Sequence, residues 1–258
     1  MTGILTGRQA AEILERLRTR RPRVHCLMNT VVQKFTADGI TAVGGIPSMT
    51  ASPEEIEDFV GRADALTVNL GTLDAGRRAV ILTAVEGAAA RGIPWVLDPV
   101  HCDYSQSRLA FARLLIERGP SAVRGNRAEM ALIGERSDGL SITTGPADRL
   151  REGARLIDVK NGHGLMAAVT GTGCLSGGVI AACMAVEPDP FTAAAAALSI
   201  TGVAAELAAE SASGPGSFGT ALLDHLYSLD GQTLEARARY AAGQSAAGRF
   251  VAGQGDAE

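Results

Sequence analysis

The sequence predicts an α/β domain built on a central, mainly parallel sheet with helices on both faces, and three observations predict it. Short apolar runs alternate with stretches of helical spacing from Arg8 to Gly145. Six polar residues, Asn29, Asn69, Asp98, Arg124, Asn126 and Thr144, fall at the C-terminal tips of those runs. A glycine-rich turn, Val169-Thr170-Gly171-Thr172-Gly173-Cys174, then opens a long alanine-rich helical segment. Alternating strand and helix favours parallel strands joined by right-handed crossovers. Ligands in such sheets bind beyond the strand C-terminal ends, so the row of polar tips points to an active site along one rim.

The elements follow in order. Arg8 to Arg18 carries Ala11, Ile13, Leu14 and Leu17 at helical spacing. Arg20-Arg21-Pro22 stops it, and Arg23 to Asn29 reads as the first strand. Helical spacing returns from Val31 to Val43 until Gly44-Gly45; Ile46 to Met49 is short and extended. Ser52-Pro53-Glu54-Glu55 reads as a helix start with proline at the first position. Ala65 to Leu70 is a buried-type strand, followed by a helix to about Ala90; Trp95 to Val100 is the next strand, followed by a helix near Leu109 to Ile116. Ser121 to Asn126 and Ser141 to Gly145 are further strands, with a short helix from Arg127 between them. Leu156 to Val159 and Met166 to Thr170 read as late strands around a turn at Lys160 to Gly164. Helices follow to about Val186, after Pro190, at Phe218 to Tyr227 and at Leu234 to Ala242.

With no internal repeat and no linker, the 258 residues read as one domain whose tail frays from about Ala252. The net charge of −4 and the absence of a basic block with interleaved aromatics argue against nucleic acid as a partner. Cys26, Cys102, Cys174 and Cys183 form no CxxC pair and no Cys/His ligand spacing. That points to a reducing cytosol, not to a disulfide framework or structural zinc. The N-terminus lacks the charged start and apolar run of a signal peptide. Phe191 to Ala209 contains Ser199, Thr201 and Glu206 and reads as a closely packed core helix, not a membrane span. A cytoplasmic location is the expectation.

The glycine-rich turn carries the chemistry. A helix N-terminus presents unpaired N–H groups and partial positive charge, which suits phosphate. The same field favours a thiolate, so Cys174 is expected to have a lowered pKa. The alternative is a tight turn in which Cys174 is a small buried residue.

Together the segments MNTVVQKFTADGITAVGGIPSM, Val68 to Leu73, Leu97-Asp98-Pro99-Val100, Val123 to Glu129 and VTGTGC resemble the hydroxyethylthiazole kinase family of the ribokinase-like superfamily, in that family's order. The resemblance implies a ribokinase-like three-layer α/β/α kinase domain. It also implies transfer of phosphate from MgATP to the primary hydroxyl of 4-methyl-5-(2-hydroxyethyl)thiazole, on the route to thiamine, and a homotrimer. Gly171, Thr172 and Gly173 would form an anion hole for the migrating phosphoryl group, with Cys174 receiving or steering the hydroxyl proton. Arg124, Thr144 and Asn29 would contact ATP, and Met49 and Gly171 the thiazole. Asp98 and Glu129 would hold Mg²⁺, Glu129 through water.

The chain departs from the family pattern at three places. His101-Cys102-Asp103-Tyr104 stands where a small, glycine-rich run is usual, Lys34 and Asp38 replace asparagines, and the interval between Ile133 and Ser141 is short. Losing a crossover helix in that interval would uncover part of the sheet. The alternatives are a kinase of another small alcohol such as a hydroxymethylpyrimidine, a dehydratase of hydrated nicotinamide nucleotides, or a catalytically weak ligand-binding relative. An Asp is usual at the Cys174 position in the dehydratases.

Overall fold

The computed structural model of the chain describes residues 5–134, 136 and 139–243. The first helix, α1 (Gly7–Arg20), starts at a reciprocal cap: the Thr6 hydroxyl accepts from the Gln9 N–H, and the Gln9 side chain accepts from the Thr6 N–H. It buries Ala10, Ile13, Leu14 and Leu17 as one stripe, with Ala10 taking the place expected for Ala11.

Strands and helices then alternate: β1 (Arg23–Leu27), α2 (Gln33–Ala42), β2 (Ile46–Ser48), α3 (Ile56–Val60), β3 (Ala65–Asn69) and α4 (Ala75–Arg91). They continue as β4 (Trp95–Asp98), α5 (Gln106–Ile116), β5 (Ala122–Asn126), α6 (Arg127–Ile133) and β6 (Leu140–Thr144). Pro53 does not open α3. It lies in a turn where the Ser52 carbonyl accepts from Glu55 and Ile56 N–H, and regular helix begins at Ile56. Lys34 and Asp38 pair with each other on an exposed part of α2. α6 is itself the crossover between the parallel pair β5 and β6; residues 135, 137 and 138 of the short interval lie outside the described residues.

The sheet has the order β2-β1-β3-β4-β5-β6-β7-β8-β9, where β7 (Asp148–Glu152), β8 (Arg155–Val159) and β9 (Tyr240–Ala242) complete it. Pairing is parallel from β2 through β6 and antiparallel from there to β9. Between β8 and the next helix the chain makes a 3-10 turn at Gly164–Ala168, where a strand at Met166 to Thr170 was expected. His163 Nδ1 accepts from the Leu165 N–H, and the carbonyls of Met166 and Val169 accept the Thr172 hydroxyl, so these groups are spent locally and not on a ladder.

Four helices follow: α7 (Thr172–Met184), α8 (Pro190–Ser211), α9 (Pro215–Ser228) and α10 (Gly231–Arg237). The expected helix from Leu234 to Ala242 thus stops at Arg237, and its last residues pair with β8 as β9. Asp189 caps α8 by accepting from the Thr192 N–H, with Pro190 at the first helical position. By length and composition α8 resembles a membrane span, but 83% of its most apolar window is buried inside the fold, as befits a core helix.

Two apolar cores lie on opposite faces of the sheet. One gathers α1, α2, α7, α8 and α9, and the other α3, α4 and α5. That makes three layers, helix over sheet over helix. The parallel register aligns Asn69 with Asp98 and Asn126 with Thr144, placing the polar strand ends along one rim.

Candidate active site

At that rim the sheet faces the first turn of α7. Gly171 caps the helix at φ 101°, a left-handed conformation, and a Cβ there would meet Val32 Cγ1 at 2.9 Å. The first intrahelical bond runs from the Leu175 N–H to the Gly171 carbonyl, 2.8 Å. The N–H groups of Thr172, Gly173 and Cys174 therefore precede it and form the positive end of the helix. Gly173 is small for a reason: a Cβ would sit 2.9 Å from Arg124 Nη2.

Between sheet and helix lies a cavity of about 480 Å³. Of the expected site residues, Asn29, Asp98, Arg124, Glu129, Thr144, Gly171, Gly173 and Cys174 line it. Thr72 and His101, held at positive φ of 48° and 57°, line it too. Strained backbone of this kind gathers at functional sites.

One wall is made of amides and a thiol. Asn69 ends β3 fully buried. Its Nδ2 donates to Asp98 Oδ2 (3.0 Å) and Cys174 Sγ (3.4 Å), and its Oδ1 accepts from Asn29 Nδ2 (3.0 Å) and the Gly71 N–H (3.0 Å). Asn29 Nδ2 also donates to Cys174 Sγ at 3.8 Å.

The other wall is charged. Arg124 Nη1 lies 3.5 Å from Asp98 Oδ2, and its Nε is buried without a hydrogen-bond partner. Burial pushes the Asp98 carboxyl above the usual carboxylate range and Glu129 adds to the rise, while Arg124, Asn69 and the Val100 N–H oppose it. Asn126 and Glu129 form the reciprocal cap of α6: Asn126 Oδ1 accepts from the Glu129 N–H (3.0 Å), and Glu129 Oε2 accepts from the Asn126 N–H (2.8 Å). Glu129 Oε1 accepts from the His101 N–H at 2.8 Å, so both oxygens already hold a backbone donor. Thr144 donates to the Gly125 carbonyl. His101, Asp103 and Glu129 each bring a ligand atom within 4.8 Å of the others.

One expectation changes, and two are made more specific. Cys174 does not have a lowered pKa: burial first, then Asp98, push the thiol up to about 12, against the opposing pull of Arg124, Asn29 and Asn69. At neutral pH it is a thiol. Thr172 turns its hydroxyl away to Met166 and Val169 and does not line the cavity, so only its backbone faces the helix end. Met49 follows the edge strand β2, half-buried against the core, and is not among the residues lining this cavity.

Asn69 emerges as the centre of the amide wall, although the sequence marked it only as a strand tip. Arg108 was missed. It lies in the first turn of α5, lines the cavity and donates to the Val100 carbonyl at 2.7 Å. The available signal was Ser105, which caps α5 by accepting the Arg108 N–H just beyond Asp98-Pro99.

The profile of the hydroxyethylthiazole kinase family matches residues 14–140 and 132–232. A probable hydroxyethylthiazole kinase of Agrobacterium fabrum is 66% identical over 91% of this chain and 95% of its own length. A hydroxyethylthiazole kinase of Granulibacter bethesdensis is 39% identical, covering 88% and 93%. Among solved structures, the hydroxyethylthiazole kinase protein of Pyrococcus horikoshii superposes with a TM-score of 0.88 at 35% identity, covering 91% of this chain and 99% of that one. The pyridoxal kinase of Staphylococcus aureus, solved with AMP-PCP and pyridoxal, shares the fold at 14% identity with a TM-score of 0.54, covering 71% and 87%.

Proposed function

The chain belongs to the hydroxyethylthiazole kinase family, and from that membership we infer how its cavity works. Its fold is ribokinase-like, and its reaction is phosphoryl transfer to the hydroxyl of hydroxyethylthiazole. The single observation that carries the mechanism is the meeting of Arg124, Asp98 and the first turn of α7 in one cavity.

Phosphoryl transfer depends on positioning and charge neutralisation. ATP enters on the charged wall. Arg124, with a buried Nε lacking a partner, is the fork for its phosphate oxygens, beside Thr144; Asn29 lines the same cavity, but its amide hydrogens are spent on Asn69 and Cys174. The migrating phosphoryl group meets the N–H groups that precede the first bond of α7.

The carboxylate oxygens of Asp98 and Glu129 suit a hydrated Mg²⁺; because both Glu129 oxygens accept backbone N–H groups, Glu129 would reach the ion through water. When bound, the ion supplies neutralisation of phosphate charge. Cys174, as a thiol, orients the alcohol and does not act as a standing base. A loose transition state leaves the hydroxyl proton in place until late. Asp98, which lines the same cavity, is the carboxylate placed to take it.

The test is steady-state turnover with ATP over a panel of hydroxyethylthiazole, a hydroxymethylpyrimidine and a hydrated nicotinamide nucleotide, with and without divalent cation. We expect the thiazole alcohol to win by kcat/KM and activity to vanish without metal. Preference for another panel member, or undiminished turnover after chelation, overturns the respective assignment.

The assembly we propose is a homotrimer in which Met49 completes the thiazole site across a subunit boundary. Met49 lies outside its own protomer's cavity beside edge strand β2, where Ile46 (37%) and Phe59 (38%) are exposed. Sedimentation that gives a monomer at micromolar concentration would refute the trimer.

A further inference from the structure

The hydrogen atoms of the amide wall can be counted, and they leave one thiol donor over. Asn69 has two N–H hydrogens, spent on Asp98 and Cys174, and two lone pairs on Oδ1, filled by Asn29 and the Gly71 N–H. Its orientation follows from its neighbours. The Gly71 N–H can only donate, so it demands the oxygen, which turns the amide nitrogen toward Asp98 and the sulfur. Asn29 is committed as well: its nitrogen donates to Asn69 and Cys174, and its oxygen accepts from the Val31 N–H at 3.1 Å.

Cys174 Sγ therefore receives two N–H donors. Elsewhere among the described residues two buried thiols give their proton to carbonyls, Cys26 to Val24 at 3.6 Å and Cys102 to Glu129 at 3.9 Å, while Cys183 is enclosed in the apolar core without such a bond. Cys174 makes no such bond among the described residues, and it is half-buried on the cavity wall. With the acceptor side of the sulfur filled from the sheet, the S–H is left toward the cavity.

We propose that Asn69 is a positioning residue that, with Asn29, aims the Cys174 S–H into the cavity to donate to the hydroxyl oxygen of the acceptor alcohol. The role for the alcohol rests on the kinase reading above; the aim of the S–H does not. Asn69 touches no reacting atom and acts through the sulfur. The thiol holds the hydroxyl oxygen in line, and the hydroxyl's own hydrogen is left to an anionic oxygen beyond.

The S–H stretching band, isolated as the infrared difference between wild type and Cys174→Ser, reads the arrangement directly. In the ligand-free enzyme a single narrow band is expected at a frequency typical of an S–H that donates to nothing. Hydroxyethylthiazole should move it to lower frequency. In Asn69→Ala the band should broaden and lose that response, with kcat falling about 10- to 100-fold while KM for ATP stays within about twofold, as for a group displaced by a fraction of an ångström to an ångström. Should Asn69→Ala fail to fold, Asn69→Leu keeps the volume while deleting both donors, and the same band is read there.

A wild-type band already shifted without ligand would mean that the protein takes the S–H. A band unchanged by either Asn69 variant would remove Asn69 from the arrangement. Either result overturns the proposal. If the band is narrow and sensitive to Asn69 but ignores the alcohol, the positioning stands and the donation to the substrate hydroxyl is wrong. Loss of turnover for the whole alcohol panel would strike the kinase reading while leaving the ligand-free comparison intact.

Discussion

His25 on β1 and Arg124 on β5, strands of one sheet with β3 and β4 between them, are wholly and largely buried polar side chains, and they are equipped in opposite ways. His25, wholly buried on β1, has both ring nitrogens occupied: Nδ1 with the Ser48 hydroxyl at 2.8 Å and Nε2 with the Thr50 carbonyl at 3.1 Å. Arg124, on β5, has one 3.5 Å contact with Asp98 and an Nε with no partner. A buried donor left unpaired costs about 1–3 kcal/mol, so a fold tolerates it where something else supplies the acceptor. His25, with its valences spent, belongs to the scaffold; Arg124, whose spare Nε belongs to a side chain lining the cavity, faces the place for a ligand. The contrast also separates the β2 edge, which is built, from the charged wall, which waits for phosphate.

The largest expected effect tests the spare side. Arg124→Ala should lower kcat/KM for ATP by roughly 10²–10⁴-fold, the loss of about two charge-assisted hydrogen bonds at roughly 1.5–3 kcal/mol each. Its unfolding midpoint in urea should move little, because the guanidinium bonds so little of the protein. Arg124→Lys should recover only part of the loss, since a point charge does not reproduce the fork. If instead the Ala variant saturates normally with ATP and unfolds much more easily, Arg124 belongs with His25 and the comparison collapses.

The parallel half of the molecule was legible because its elements announce themselves. Ala65 to Leu70 and Trp95 to Val100 are mainly apolar runs with a polar residue at or near the tip, and a helix of regular period separates them. In the antiparallel half only β8 was legible, at Leu156 to Val159. β7 reads Asp-Arg-Leu-Arg-Glu, and only Leu150 is buried, so no run of apolar residues marks it as a strand. β9 looked like the end of a helix because pairing with β8, a tertiary contact, overrides the local spacing of Tyr240 to Ala242.

The site divides in the same way. Gly171 and Cys174 could be placed at a helix N-terminus from sequence, and the field there argued for a thiolate. What the sequence does not carry is that Cys174 would be half-buried beside Asp98, and burial plus that neighbour reverse the direction. Asn69 was visible as a tip but not as a hub, because its partners come from three other segments of the chain. Arg108 has no strand-tip signal at all.

The smallest effect belongs to the spent side, and it reads stability in place of turnover. The Thr50 carbonyl can only accept, so Nε2 of His25 carries the proton and Nδ1 accepts from the Ser48 hydroxyl. Burial lowers the His25 pKa to about 4, with the Thr50 carbonyl opposing the fall. The folded state therefore keeps this ring neutral while the unfolded chain protonates it near pH 6.5. Between about pH 6.5 and pH 4 the unfolded state binds the extra proton, so the stability that His25 contributes is complete above that window and lost as pH falls through it. The whole span amounts to roughly 3 kcal/mol at most. Asp98, whose carboxyl is shifted upward, pushes in the opposite sense over part of the same range, so the raw pH profile mixes the two. Comparison with His25→Gln isolates the ring, since a carboxamide offers both a donor and an acceptor and does not titrate. Urea unfolding of the two proteins at pH 7 and pH 4.5 should show wild type losing more stability on acidification than the variant. The difference should amount to about 2 kcal/mol, with kcat at pH 7 nearly equal. Equal losses in the two proteins would show that His25 is not held neutral by the fold, and its fully bonded ring would then say nothing about how the scaffold and the ligand wall differ.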